Sequence, residues 1–163
     1  MFFFTVVLEN RSSRLLVDQI DRFRSCYRDT RERHPFETIA ICILPDHLHV
    51  IWALPENDGN YPIRWSMIKS GFSRGLKPHT QSSSVSAKRE KGIWQRRYWE
   101  HAIRNQADLE RHIDYIHFNP VKHGLVSRVS DWPHSSFHRY VERGWLAADW
   151  GGDVKKMSGS FGE

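Results

Sequence analysis

Cysteine is nearly absent from the 163-residue chain: Cys26 and Cys42 are the only two, and they do not form a CxxC spacing. This excludes a disulfide framework and a cysteine-rich zinc site. Two small buried hydrophobes in a reducing compartment are the expectation. Long apolar runs are missing as well. FFFTVVL and IAICIL are far too short to span a bilayer. The opening MFFFTVVLEN lacks both a basic n-region and a small-residue cleavage site. It reads as a first strand, and the protein as cytoplasmic, with no membrane partner. No internal repeat is visible.

What is present suits one soluble domain. Hydrophobic residues make up 39% and charged residues 26% of the chain. We expect a single catalytic domain over residues 1–153 and a disordered tail over 154–163. The formal net charge is +5 and the isoelectric point about 9.4, which fits a polyanionic partner. Seven Trp, nine Phe and five Tyr are available, several beside arginine as in WQRRYWEHAIR. Stacking surface interleaved with cations suits unpaired bases.

Along the chain, Phe2 to Leu8 reads as a strand. Leu15, Leu16, Ile20, Phe23 and Tyr27 recur at helical steps, so a helix is predicted from Leu15 to about Arg33, ending at Pro35. Glu37–Leu44 and Leu48–Leu54 form a predicted hairpin around Pro45-Asp46. Trp65, Ile68, Phe72 and Leu76 mark a second helix, with Pro62 near its start. The Ser-rich, charged stretch 77–92 reads as a flexible insertion. Tyr98–Ile103 is a further strand. Asn105 can cap a third helix with Asp108 at its N3 position, and Pro120 is expected to stop that helix near Asn119. The order is that of an α+β, ferredoxin-like antiparallel sheet covered by helices, with an added C-terminal helix.

Residues 45–52 read PDHLHVIW. Side chains at i and i+2 of a strand share a face, so His47 and His49 project together and Leu48 points away. Two imidazoles at this spacing can reach one cation, but they do not complete a site. On spacing alone, two hydrogen-bonded histidines explain the pair as well. DYIHFNPVKHGLV, residues 114–126, places Tyr115 and Asn119 on one helix face. Asn119 offers an amide oxygen suited to a hard divalent ion. Tyr115 offers a phenol, a poor nucleophile unless something activates it or its electrophile.

A His-hydrophobe-His strand followed by a helical tyrosine resembles the HUH endonuclease superfamily. LPDHLHVIW, WQRRYWEHAIRN, YIHFNPVKHGLV and DWPHSSFHRYV are similar to the REP-associated tyrosine transposases, single-tyrosine relatives of the IS200/IS605 transposases. The resemblance implies His47 and His49 as metal ligands for Mg²⁺ or Mn²⁺, Asn119 as a further ligand, and Tyr115 as the nucleophile. The implied substrate is single-stranded or hairpin DNA, often a repetitive extragenic palindromic (REP) hairpin. The implied reaction is transesterification through a 5′-phosphotyrosine and a free 3′-OH. Arg96, Arg97 and Arg104 are candidates for phosphate contacts. Trp94, Tyr98 and Trp99 are candidates for base stacking, with at least one expected in the core. Lys122 and His123 are candidates for holding the DNA backbone. His101, His112 and His117 read as surface or hydrogen-bonding residues, and Asp46 as a turn. Relatives often carry a basic, Tyr-rich extension ahead of the first strand, whereas this chain opens on FFFTVVL. Either that part is shortened or the guide beside the hairpin is read differently. The chain is expected to act as a monomer or homodimer, associated with the nucleoid when bound to DNA. The alternative is a non-catalytic single-strand-binding module, which would need neither the His pair nor the tyrosine.

Overall fold

Both faces of FFFTVV are mainly apolar, so a strand built from it has to be covered on both sides. The computed structural model, which describes residues 1–77 and 92–151, shows that arrangement. The interior of the expected insertion (78–91) and the expected tail (154–163) lie outside the described residues. The elements are β1 (Phe2–Val7), α1 (Leu15–Asp18), α2 (Ile20–Arg33), β2 (Glu37–Ile43), β3 (His47–Ala53), α3 (Tyr61–Ser73), β4 (Trp99–Ala102), α4 (Gln106–Lys122) and α5 (Phe137–Glu142), with a short 3₁₀ turn at Val129–Asp131.

The four strands pair in the order β2-β3-β1-β4, and every pairing is antiparallel. This is the expected α+β, ferredoxin-like sheet. Alternation along the strands divides the core. Phe4, Val6, Leu48, Val50 and Trp52 pack with Leu16, Phe23, Trp65, Ile68 and Phe72, contributed by α1, α2 and α3. On the opposite face Phe3, Ala40, Cys42 and Ile51 pack with Tyr115, Ile116 and Trp132. The helix α4 thus covers the face that the other long helices leave open. The first six residues of β3 are all buried, because helices lie above and below it.

Three helix boundaries differ from expectation, and one is the end of α3 at Ser73, before Leu76. The helix from Leu15 breaks at Gln19, whose backbone leaves helical geometry (φ −116°, ψ 33°). The break lets Leu16 sit in the core while its N–H donates to Pro45 O. Pro120 does not stop α4, which continues to Lys122. Proline removes one N–H donor, but so near the end only one intrahelical bond is forfeited. Gly124, at φ +66°, makes the stop instead. Leu125 N–H donates to Pro120 O and Gly124 N–H to Val121 O, the paired bonds of a Schellman cap. The extra turn carries Lys122 and His123 back toward the sheet.

Candidate active site and metal centre

Strand register assembles the first half of the site. His49 lies across from Thr5, and His47 across from Val7. Directly paired residues share a sheet face, so Thr5 points the same way as both histidines. Thr5 Oγ1 is hydrogen-bonded to His49 Nδ1 at 2.8 Å. His47 Nδ1 donates to Asp46 Oδ1 at 2.8 Å. The two imidazoles are therefore each held by Nδ1, with ring centroids 5.0 Å apart. Histidine ligands to metals use this device: the outer nitrogen is fixed by a carboxylate or other polar group, so the inner nitrogen presents its lone pair. Burial pushes the Asp46 carboxyl up, but the hydrogen bond from His47 and the charges of His47 and Arg11 outweigh it. Asp46 stays below the usual carboxylate range. Arg11 Nε meets its other oxygen at 2.9 Å.

The second half comes from α4. Tyr115 is 2% exposed and Asn119 fully buried, one turn apart on the face toward the sheet. The Tyr115 ring stands edge-on to His49 with centroids 5.1 Å apart. Phe3 stacks on His49 at 5.8 Å and fixes the other flank of Tyr115 at 6.2 Å. Lys122 Nζ lies 4.9 Å from the centroid of the Tyr115 ring and donates to Tyr115 Oη at 3.4 Å. His123 packs its ring 5.0 Å from that of His47. An open cleft of about 390 Å³, bordered by Arg11, Arg14, His47 and His123, leads in from solvent. The donor set is two imidazoles and a carboxamide beside the C-terminal, negative end of a helix, and it fits a divalent cation.

The structure brings His47, His49 and Tyr115 together, with Asn119 buried one turn along α4 from Tyr115. Arg96, Arg97 and Arg104 are exposed beside β4, and Trp99 is 43% exposed. Trp99 pairs with Thr5, so the row Trp99–Thr5–His49 crosses the sheet on the site's own face. Trp94 and Tyr98 are half-buried and pack against the core cluster. Lys69 Nζ lies over both rings, 5.8 and 5.3 Å from their centroids, and donates to Gln95 O. Burial pushes that ammonium down to about 8.

Sequence reasoning missed Thr5 and undervalued Asp46. The signal for Thr5 was a lone polar residue inside FFFTVVL. For Asp46 it was its place directly before the histidine. Asp46 does sit in the turn, but its carboxylate also sets the His47 tautomer.

A second cluster, His101, Asp108 and His112, places its ligand-type atoms within 4.8 Å of one another, so it too has the composition of a cation site. Its carboxylate already has protein partners. Asp108 Oδ2 accepts from His101 Nε2 at 2.8 Å and Arg104 N–H at 3.0 Å, and Oδ1 accepts from Arg111 at 3.2 Å. His112 Nδ1 donates to Asp108 O at 2.8 Å. Asn105 Oδ1 caps Asp108 N–H as expected. A cation here would compete with all of these bonds. The group ties β4 to the start of α4. His117 is likewise buried and hydrogen-bonded, to Ser136 Oγ at 2.9 Å, and burial pushes it down to about 3.

A helix-covered antiparallel sheet presenting a histidine pair to a helical tyrosine defines a class, and comparison with known proteins identifies it. Residues 2–119 match the IS200-like transposase family, so the chain belongs to that family and is an enzyme of the tyrosine transposase type. A Haemophilus influenzae chain classed with the REP-associated tyrosine transposases is 52% identical over 155 residues, covering 94% of this chain and 88% of that one. The REP-associated tyrosine transposase of Escherichia coli K12 is 47% identical over 159 residues, covering 96% and 88%. A solved REP-associated tyrosine transposase bound to a REP hairpin superposes with a TM-score of 0.85 at 47% identity, covering 99% of this chain and 90% of that one. Among the described residues, no helix is long and apolar enough to cross a membrane.

Proposed function

We propose that the chain is a metal-dependent endonuclease and strand transferase for single-stranded, palindromic REP-like hairpin DNA. It works through a 5′-phosphotyrosine on Tyr115, in the cytoplasm and on nucleoid DNA. The observation that carries this reading is the contact of Tyr115 with His49 in a site whose histidines are both fixed through Nδ1. His47, His49 and Asn119 would hold a divalent ion such as Mg²⁺ or Mn²⁺, which supplies Lewis-acid polarisation of a phosphoryl oxygen. Tyr115 Oη attacks phosphorus in line, its bond to phosphorus forms as the P–O3′ bond breaks, and the phosphoester is conserved for rejoining. Arg96, Arg97 and Arg104 hold phosphates and Trp99 stacks a base beside the reacting one. The His pair and Tyr115 meet within one chain, which supports a site complete in a monomer. A simple binding module has no use for that pair.

Incubation of the protein with a labelled REP-like hairpin oligonucleotide and Mn²⁺ yields a protein–DNA adduct that survives denaturation. EDTA abolishes it, as does Tyr115→Phe. An adduct that persists in Tyr115→Phe would overturn the assignment of the nucleophile.

A further inference from the structure

We infer that Lys122 is a catalytic residue of this site: its ammonium neutralises the charge carried by the Tyr115 oxygen, rather than serving as one more contact to the DNA backbone. The inference rests on Tyr115 being the nucleophile. Lys122 stands seven residues after Tyr115, two turns along α4, and so returns to the same face. Its backbone lies in the exposed last turn, yet Nζ reaches inward over a phenol that is 2% exposed. The donor lies 3.4 Å from Oη itself. A lysine placed only to meet phosphate would extend into solvent, where its charge is best hydrated. The Schellman cap holds this turn in the helix despite Pro120, which gives the lysine its reach.

The chemistry gives the cation work in both directions. In cleavage the Oη–P bond forms and the P–O3′ bond breaks. The phenolic proton passes to solvent and the departing 3′-oxygen takes one from solvent. In rejoining the 3′-oxygen attacks phosphorus, the P–Oη bond breaks and the phenolate leaves. In each direction the Tyr115 oxygen carries negative charge on the side of the transition state away from the adduct. A fixed cation there, over a phenol that is 2% exposed, is preorganised for that charge. Phosphate binding would instead stabilise ground state and transition state alike.

The experiment compares Lys122→Gln, Lys122→Arg and Tyr115→Phe with the unaltered protein. It measures hairpin affinity across a salt series, single-turnover cleavage at saturating protein with Mn²⁺, and rejoining from the purified adduct with a 3′-OH oligonucleotide. Lys122→Gln is expected to bind within about 3-fold of the parent, with an unchanged salt slope, while both rate constants fall about 10- to 100-fold. Lys122→Arg recovers most of the loss. Weaker binding in proportion to the rate loss, with a salt slope lower by about 1, would make Lys122 a phosphate contact and overturn the inference. So would parental rates in Lys122→Gln while Tyr115→Phe is inactive. An adduct in Tyr115→Phe would instead remove the nucleophile assignment, and this inference with it. Lys122 is an exposed residue, and circular dichroism confirms that each variant is folded.

Discussion

At the scale of single residues, the groups that tune the histidines matter as much as the histidines. Thr5 and Asp46 each hold an Nδ1, and each leaves its ring facing inward. Thr5→Val keeps the shape of the side chain and removes the hydroxyl. We expect the variant to fold, and its Mn²⁺ affinity, measured by calorimetry without DNA, to fall about 10- to 100-fold. Unchanged affinity would remove Thr5 from the site. The histidine pair was legible because a strand has a period of two, and Tyr115 with Asn119 because a helix repeats near four. Thr5 was not legible, since its partner is set by the register between β1 and β3. No periodicity within one strand reports that register. The proposed role of Lys122 was not legible for a similar reason. A basic residue after the helix of Tyr115 suggests phosphate until the length of that helix is known.

At the scale of elements, α4 is the part whose position decides whether Tyr115 meets His49. Its start is fastened to β4 through Asp108. Burial raises that carboxyl, but hydrogen bonds from His101, Arg104 N–H and Arg111 override it and hold it well below the usual carboxylate range. A carboxylate depressed in the folded state contributes stability that is present above its unfolded pKa, about 4. That contribution is lost as pH falls from there toward the folded value. Asp108→Asn is expected to cost about 2 kcal/mol at neutral pH by urea unfolding. Its stability should also fall less steeply than the parent's below about pH 4. Equal slopes in the two proteins would show that Asp108 carries no such linkage. The order of elements was readable from hydrophobic spacing, including the N-cap at Asn105. The end of α4 was not, because proline was weighed against helix continuation while Gly124 and its cap bonds depend on the backbone beyond. The break at Gln19 escaped for a comparable reason: Leu16 is drawn to a core and a carbonyl that the local pattern does not contain.

At the scale of the whole molecule, the site occupies one face and one end of the sheet, and the cationic and aromatic rim follows β4. Arg96→Ala and Arg97→Ala are expected to weaken hairpin binding similarly across sequences. Each should lower the slope of log K against log salt by about 1. Trp99→Ala should weaken binding by about 1–3 kcal/mol with little change in that slope. Fluorescence anisotropy at several salt concentrations separates the two kinds of contact, and a Trp99 loss that tracks salt would contradict the stacking role. Net positive charge is consistent with the proposed partner from composition alone. Which aromatic was available did not follow from composition, because Trp94, Tyr98 and Trp99 look alike in sequence and only the sheet edge distinguishes them.

The strand β3 is paired on both sides and packed above and below. Its amides have no route to solvent short of opening the domain as a whole. Hydrogen–deuterium exchange at His49 and Val50 should therefore proceed at the rate of global unfolding, while the ends of α4 exchange sooner. A site anchored there has no partly unfolded form that keeps the fold and loses the histidine pair. Damage to the core and loss of the pair would be registered as one event.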